Sequence, residues 1–258
     1  MEQLTVSAVQ AFLHWESPDI NFEQLGKQLN NTITSTDLIV LPEMFTTGFS
    51  MNAAPVAETI NGPAMQWMQA QAQRFEAVVT GSLIIEEGGR FFNRLIWMRP
   101  DGSFEQYDKR HLFTLAKEHE TYTAGTERLI VDLKGWKVCP LICYDLRFPV
   151  WSRNSEAYDV LIYVANWPIT RSHHWKTLLM ARAIENQCYI LGVNRVGEDE
   201  KGYVYSGDTC LIDYSGRLLY QVSDSPQVIT TTIEKEPLRQ FRQKLNFLPD
   251  QDSFTILP

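Results

Sequence analysis

The sequence predicts an α/β protein built from mixed β-sheets covered by helices. Three observations carry that expectation. Short apolar, β-branched runs alternate with segments of helical period. Several neighbouring runs are joined by glycine turns suited to hairpins. Runs such as Leu161-Ile162-Tyr163-Val164-Ala165 are apolar without alternation, as strands buried on both faces are. Two sheets packed face to face satisfy all three.

In chain order, strand candidates occupy 4–11, 38–41, 77–85, 91–99, 103–108, 129–133, 136–142, 160–165, 188–193, 204–214, 218–222 and 227–233. Hairpins are expected where Pro100-Asp101-Gly102, Lys134-Gly135 and Tyr214-Ser215-Gly216 offer a glycine for positive φ. Helix candidates occupy 21–30, 63–75, 174–186 and 237–245. In the third, Trp175, Leu178, Leu179 and Ala183 recur at three- and four-residue spacing and form one apolar stripe. Pro63 and Pro237 suit first-turn positions, where the missing N–H costs nothing. From about residue 246 the chain loses helical period, which predicts an extended tail docking on a partner subunit or on its own core.

The chain has 258 residues, 44% of them hydrophobic, and neither a linker nor a repeat interrupts it, so one domain spanning 1–258 is expected. A formal charge of −8 argues against a surface made for nucleic-acid phosphates or anionic lipid, both of which select clustered Lys and Arg. No apolar run approaches the ~18 residues of a spanning helix. The amino terminus has no basic leader or apolar core of a signal peptide, so a cytoplasmic location is expected. Four scattered cysteines do not make a disulfide framework.

Each cysteine is therefore read singly. Cys139, Cys188 and Cys210 lie inside strand-like runs and read as small buried hydrophobes. Cys143 ends the strand of VCPLICYDLRFP and precedes polar residues, which puts it at the carboxyl edge of a sheet on an exposing turn. A thiol of ordinary pKa needs a base or a cation to act at neutral pH. Two other strand ends offer them: Glu43, after Leu38-Ile39-Val40-Leu41-Pro42, and Lys109, after the strand ending at Asp108. Thiol, carboxylate and ammonium together suit acyl transfer, with Glu43 moving protons, Lys109 facing negative charge, and the Tyr144 N–H completing an oxyanion site. Metal chemistry is not expected: His111, His119, His173 and His174 show no ligand spacing, and no CxxC or HExxH occurs.

LPEMFTTGF around Glu43, YDKRHLF around Lys109, ICYDLRFP around Cys143, ANWP at 165–168 and ARAIENQ at 181–187 resemble, in order and spacing, the successive blocks of the nitrilase superfamily of carbon-nitrogen hydrolases. The resemblance covers essentially the whole chain, and CYDLRFP with ANWP is most similar to the bacterial ω-amidase branch. It implies a four-layer αββα sandwich that dimerises through its helical faces, and a Glu-Lys-Cys triad at Glu43, Lys109 and Cys143. It also implies amide hydrolysis through a thioester, with no cofactor. The family's second glutamate matches Glu118 best, with Glu120 as the rival.

For that branch the substrate is a small 2-oxo dicarboxylic acid monoamide such as α-ketoglutaramate or α-ketosuccinamate, and a role in methionine or amino-acid salvage follows from the resemblance. The nearest rival substrates are N-carbamoyl amino acids and aliphatic amides, and a non-catalytic binding protein keeping the fold is the rival of another class. Arg147 either clamps the remote carboxylate or pairs with Asp145. Arg171 is a second carboxylate candidate or a surface residue. Trp167 either walls the pocket or belongs to the core. Arg182 and Glu185, three apart, are expected to form a supporting ion pair.

Overall fold

The computed structural model describes residues 2–256. The elements run β1 (Gln3–Gln10), α1 (Pro18–Thr32), β2 (Leu38–Val40), α2 (Pro63–Phe75), β3 (Val78–Glu87), β4 (Arg90–Met98), β5 (Phe104–Asp108), α3 (Glu118–Thr121), β6 (Val131–Leu133), β7 (Trp136–Ile142), β8 (Val160–Ala165), α4 (Ser172–Asn186), β9 (Tyr189–Asn194), β10 (Val196–Glu198), β11 (Val204–Ile212), β12 (Leu218–Ser223), β13 (Gln227–Glu234) and α5 (Lys235–Lys244). They form two mixed sheets. One has the order β13-β1-β2-β3-β4-β5, and the other β10-β11-β9-β8-β7-β6 with β12 also on β11.

The period of two along each strand builds the layers. On β1, Leu4, Val6 and Ala8 join one cluster with Leu141 and Leu161 of the other sheet, while Val9 packs with Leu25 and Leu29 of α1 and Met65 and Met68 of α2. Helices α1 and α2 thus cover the outer face of the first sheet. Trp175, Leu179 and Ala183 of α4 and Leu238 of α5 pack against the second. The result is the expected αββα sandwich, with all three foreseen hairpins in place: β4 pairs β5, β6 pairs β7, and β11 pairs β12, each antiparallel.

The differences from expectation are local. Helix α1 begins at Pro18 rather than Asn21, because Asn21 is a tie rather than a cap. Its buried amide accepts from His14 N at 2.8 Å and donates to Thr46 O at 2.7 Å, holding two loops to the helix. Strands β6 and β11 are shorter than read, the latter ended by Asp213, whose side chain accepts from Ser215 N and Arg217 N. Three-residue β10 and four-residue α3 are too short to show a period. The tail is not simply extended: a 3-10 turn spans Leu248–Asp250, and Gln251 accepts from Arg153 Nε at 2.9 Å, so it docks on its own chain. Among the described residues, no helix is long and apolar enough to cross a membrane.

What matters for chemistry is where strands end. β1, β2 and β3 are parallel neighbours in one sheet, and β7, β8 and β9 in the other. The chain leaves β2 into Glu43, β7 into Cys143 and β8 into Asn166, so carboxyl ends from both sheets supply side chains to one crevice.

Candidate active site

Each chemical group stands on a turn that the sequence makes sharp. Cys143 follows β7 with φ +43°, and Met44, next to Glu43, also has φ +43°. Such a conformation is costly for a side-chain-bearing residue and persists only where neighbours over-determine it. Beneath the Glu43 turn runs Gly81, where a Cβ would lie 2.8 Å from Leu41 Cβ. Lys109 follows β5, and its carbonyl accepts from Gly125 N at 3.0 Å. Gly125 has to be glycine, since a Cβ there would sit 2.2 Å from Asp108 O.

These turns bring the three predicted groups together. Lys109 Nζ donates to Glu43 Oε1 at 2.8 Å and to both oxygens of Glu118 at 3.0 Å, and all three side chains are fully buried. The thiol of Cys143 interacts with Glu43, Lys109 and Glu118. Glu118, in the first turn of α3, is therefore the second glutamate at the cluster; Glu120 lies outside it, paired with Lys117 at 3.5 Å. Glu43 is held at both oxygens. Oε1 also accepts from Asn93 Nδ2 at 2.9 Å, and Oε2 from Asn166 N at 2.8 Å. Glu118 Oε2 accepts from Phe113 N at 2.5 Å.

One cation faces two carboxyl groups in a buried site. Burial pushes the Glu118 carboxyl above its usual range, and the charge of Glu43 adds to this against the pull of Lys109. Lys109 is raised, because both glutamates and the thiol outweigh the burial that opposes its charge. Burial pushes the Cys143 thiol well above its ordinary value, with Glu43 adding and Lys109 opposing. Burial thus favours the thiol over the thiolate at Cys143.

Above this floor lies a cavity of about 240 Å³. Cys143, Lys109 and Asn166 form its base, aromatic walls come from Phe49, Phe113, Tyr144 and Trp167, and Arg147, Arg171 and Lys201 supply cations. The expected alternative for Arg147, an ion pair with Asp145, is not what forms. Asp145 is consumed by Tyr107, His111 and Ile142 N, whereas Arg147 lies 4.6 Å over the Trp167 ring with Nη2 3.3 Å from His174 Nδ1. Trp167 does wall the cavity, fixed by Nε1 donating to Arg171 O at 2.8 Å. Arg171 stacks 5.4 Å over Phe113. None of the three cations has a carboxylate partner among the described residues. The acidic group at the rim, Asp199, is occupied by Tyr205 Oη, Lys201 N and Tyr203 N.

Arg182 and Glu185 pair at 2.9 Å as expected, and Arg182 also donates to Leu146 O at 2.7 Å, tying α4 to the Cys143 turn. Cys139, Cys188 and Cys210 are fully buried. Sequence reading missed Asn93, which lies within β4 and carries no motif, and the β10–β11 hairpin that brings Asp199, Lys201 and Tyr205 to the cavity. Asn166 was visible inside ANWP but was given no task.

A thiol, an ammonium and two carboxyl groups meet at the strand ends of a double sheet, the set of groups that thiol-dependent acyl transfer uses. The chain belongs to the carbon-nitrogen hydrolase family, whose profile matches residues 5–243. It is 43% identical to Omega-amidase YafV of Escherichia coli K12 over 99% of this chain and all of that protein. Identity to the 2-oxoglutaramate amidase of Bacillus subtilis is 31%, covering 95% of this chain and 96% of that one. The crystal structure of XC1258 from Xanthomonas campestris, a CN-hydrolase superfamily protein with an arsenic adduct in its active site, superposes with TM-score 0.97 at 44% identity over 99% of this chain and 100% of that one.

Proposed function

We propose that the protein is an ω-amidase: it hydrolyses the amide of small 2-oxo dicarboxylic acid monoamides such as α-ketoglutaramate and α-ketosuccinamate, releasing ammonia and the dicarboxylate. The observation that carries the substrate class is a small cavity over Cys143 with three cations, none engaged by a carboxylate among the described residues. Such a rim suits a ligand with an anionic end remote from its amide. The two relatives named as amidases of this kind support the same reading.

In the first half-reaction, Cys143 Sγ adds to the amide carbon while Glu43 takes the thiol proton, and the carbonyl electron pair moves onto oxygen. That oxyanion is met by Lys109 Nζ and the Tyr144 N–H, donors already fixed before charge develops. Tyr144 is the second residue of the single 3-10 turn Cys143–Arg147 that follows β7, where the first N–H groups have no partner within the turn. The tetrahedral centre collapses as Glu43 returns its proton to nitrogen, and ammonia leaves a thioester on Cys143. In the second half, Glu43 deprotonates a water that adds to the thioester carbon. Collapse expels the sulfur, which recovers the proton. Glu118 orients Lys109 throughout. Arg147 and Arg171 hold the remote carboxylate, and Trp167 walls the chain between. Every proton and electron pair is carried by these groups, with no call on a cofactor.

The test is hydrolysis by purified protein of α-ketoglutaramate, α-ketosuccinamate, an N-carbamoyl amino acid and propionamide. Preference for the keto-acid amides is expected; if they are the poorest substrates, the substrate assignment fails while the family does not. We also read the molecule as a homodimer, supported by Met180 and Ile184, large apolar side chains left 41% and 47% exposed on α4. Sedimentation at the mass of a single chain would overturn that.

A further inference from the structure

Asp145 is a fully buried carboxylate that lines no part of the cavity and has no place in the reaction above. Its two oxygens take four donors. Oδ1 accepts from His111 N at 3.0 Å and His111 Nδ1 at 2.8 Å, while Oδ2 accepts from Tyr107 Oη at 2.7 Å and Ile142 N at 3.0 Å. The pattern of sources is informative. Tyr107 and His111 lie two residues before and two residues after Lys109, while Ile142 immediately precedes Cys143 and Asp145 follows it by two. One side chain therefore brackets both the ammonium-bearing and the thiol-bearing segments.

We propose that Asp145 is a positioning residue that clamps the Lys109 segment to the Cys143 turn and so sets where the ammonium stands relative to the sulfur. The roles of Lys109 and Cys143 rest on the function proposed above. The clamp is braced from outside: Tyr107 Oη accepts from Trp151 Nε1 at 2.9 Å and Arg110 N at 3.2 Å, and the His111 ring stacks on Phe148 at 3.8 Å. Phe148 lies on the same chain turn as Asp145, and its N–H donates to Asp145 O at 3.0 Å. The left-handed backbone at Cys143 is the conformation that needs such over-determination.

The chemistry of the clamp dictates the variant. Asp145→Asn keeps the shape but replaces one acceptor oxygen by an NH2 group. Tyr107 can turn its hydroxyl and His111 can change tautomer to suit it, but the backbone N–H groups of Ile142 and His111 cannot, so in either amide orientation one N–H faces another donor. The segments must part. Tyr107→Phe leaves the carboxylate with three of its four donors, while also removing the acceptor used by Trp151 Nε1 and Arg110 N, and provides a second variant should the first fold poorly.

Two readouts are taken on both variants, each alongside thermal unfolding. Turnover of α-ketoglutaramate is expected to show kcat reduced by roughly 10–100-fold for Asp145→Asn, and less for Tyr107→Phe, with KM nearly unchanged, since misplacement of about an ångström has that effect on rate. Alkylation of Cys143 by iodoacetamide, followed by intact mass, is expected to change in rate in the same variants. A folded Asp145→Asn protein with wild-type kcat and wild-type alkylation overturns the proposal, as does a kcat loss no larger than the loss of folded protein. The alkylation arm needs no substrate. If the wild type hydrolyses none of the amides while alkylation still differs between wild type and variant, the clamp stands and the ω-amidase reading falls.

Discussion

The floor and the rim of the cavity are built on opposite principles. On the floor, Glu43, Lys109 and Glu118 are fully buried, and each carboxylate is held by at least two donors. At the rim, Arg147, Arg171 and Lys201 are partly or fully exposed, lie over aromatic rings, and have no carboxylate partner among the described residues. On the proposed function, the buried cluster carries the chemistry, because its charges act at low dielectric and cost no reorganisation. On the same proposal, the open, under-neutralised ring of cations selects the substrate. Changes to the floor should therefore act on kcat, and changes to the rim on KM.

The largest effect is expected from the floor. Cys143→Ala should lower kcat by at least about 10⁴-fold, the scale on which loss of a covalent nucleophile is felt, with the fold retained. The same change at Cys139, four residues earlier and fully buried, should leave turnover near wild type. Ammonia release from both proteins decides this, and unchanged turnover in Cys143→Ala excludes it as the nucleophile. Lys109→Met comes next. It removes an oxyanion donor, expected to reduce kcat about 10²–10³-fold, and it strands two carboxylates together in the dark of the core, destabilising the fold by roughly 3–5 kcal/mol. Chemical denaturation beside kinetics separates the two consequences.

Arg147→Met sharpens the comparison from the other side. Losing a charge-assisted hydrogen bond to the substrate carboxylate is worth about 1.5–3 kcal/mol, so KM should rise roughly 10–150-fold with a smaller change in kcat. A loss confined to kcat would move Arg147 from rim to floor. Burial and the neighbouring Arg171 already depress the Arg147 guanidinium, the situation of a cation awaiting an anion.

The smallest effect lies in the pH dependence of stability. The Cys143 thiol is pushed well above its ordinary value in the folded protein. Above about pH 8.5 the unfolded chain ionises this thiol while the folded one does not, so the folded state binds more protons and stability falls as pH rises. Cys139, Cys188 and Cys210 are raised by burial as well, so the wild type should lose stability steeply from pH 8.5 to 10. Cys143→Ala should show a shallower decline over that window, read from denaturation midpoints. An equal slope would mean the thiol is ordinary.

How much of this was legible in the chain differs between the same two regions. The floor residues follow strand-like runs that end at Leu41, Asp108 and Ile142, two of them apolar, and a chemical group placed just past a strand end is visible in one dimension. Glu118 was placed by resemblance, and α3, which carries it, is too short to show any period. Asn93 was invisible, since beside Arg94 within β4 it reads as an ordinary outward-facing polar position until the fold brings Glu43 and Glu118 to it. The rim was half legible. Arg147 lies four residues after Cys143, and Lys201 is far along the chain, on a hairpin whose three-residue strand gives no signal.

Local chemistry along the chain determined the sheets, the hairpins and the groups that end strands, because strand period, glycine turns and a polar stop are written within a few residues of one another. Only the folded molecule decided which carboxylate Lys109 meets, that Asp145 turns toward Tyr107 and His111 and away from Arg147, and that three cations share one opening. Those choices depend on how β5, β7 and the β10–β11 hairpin are stacked across two sheets. The distances involved are set by packing between segments dozens of residues apart, which no local pattern encodes.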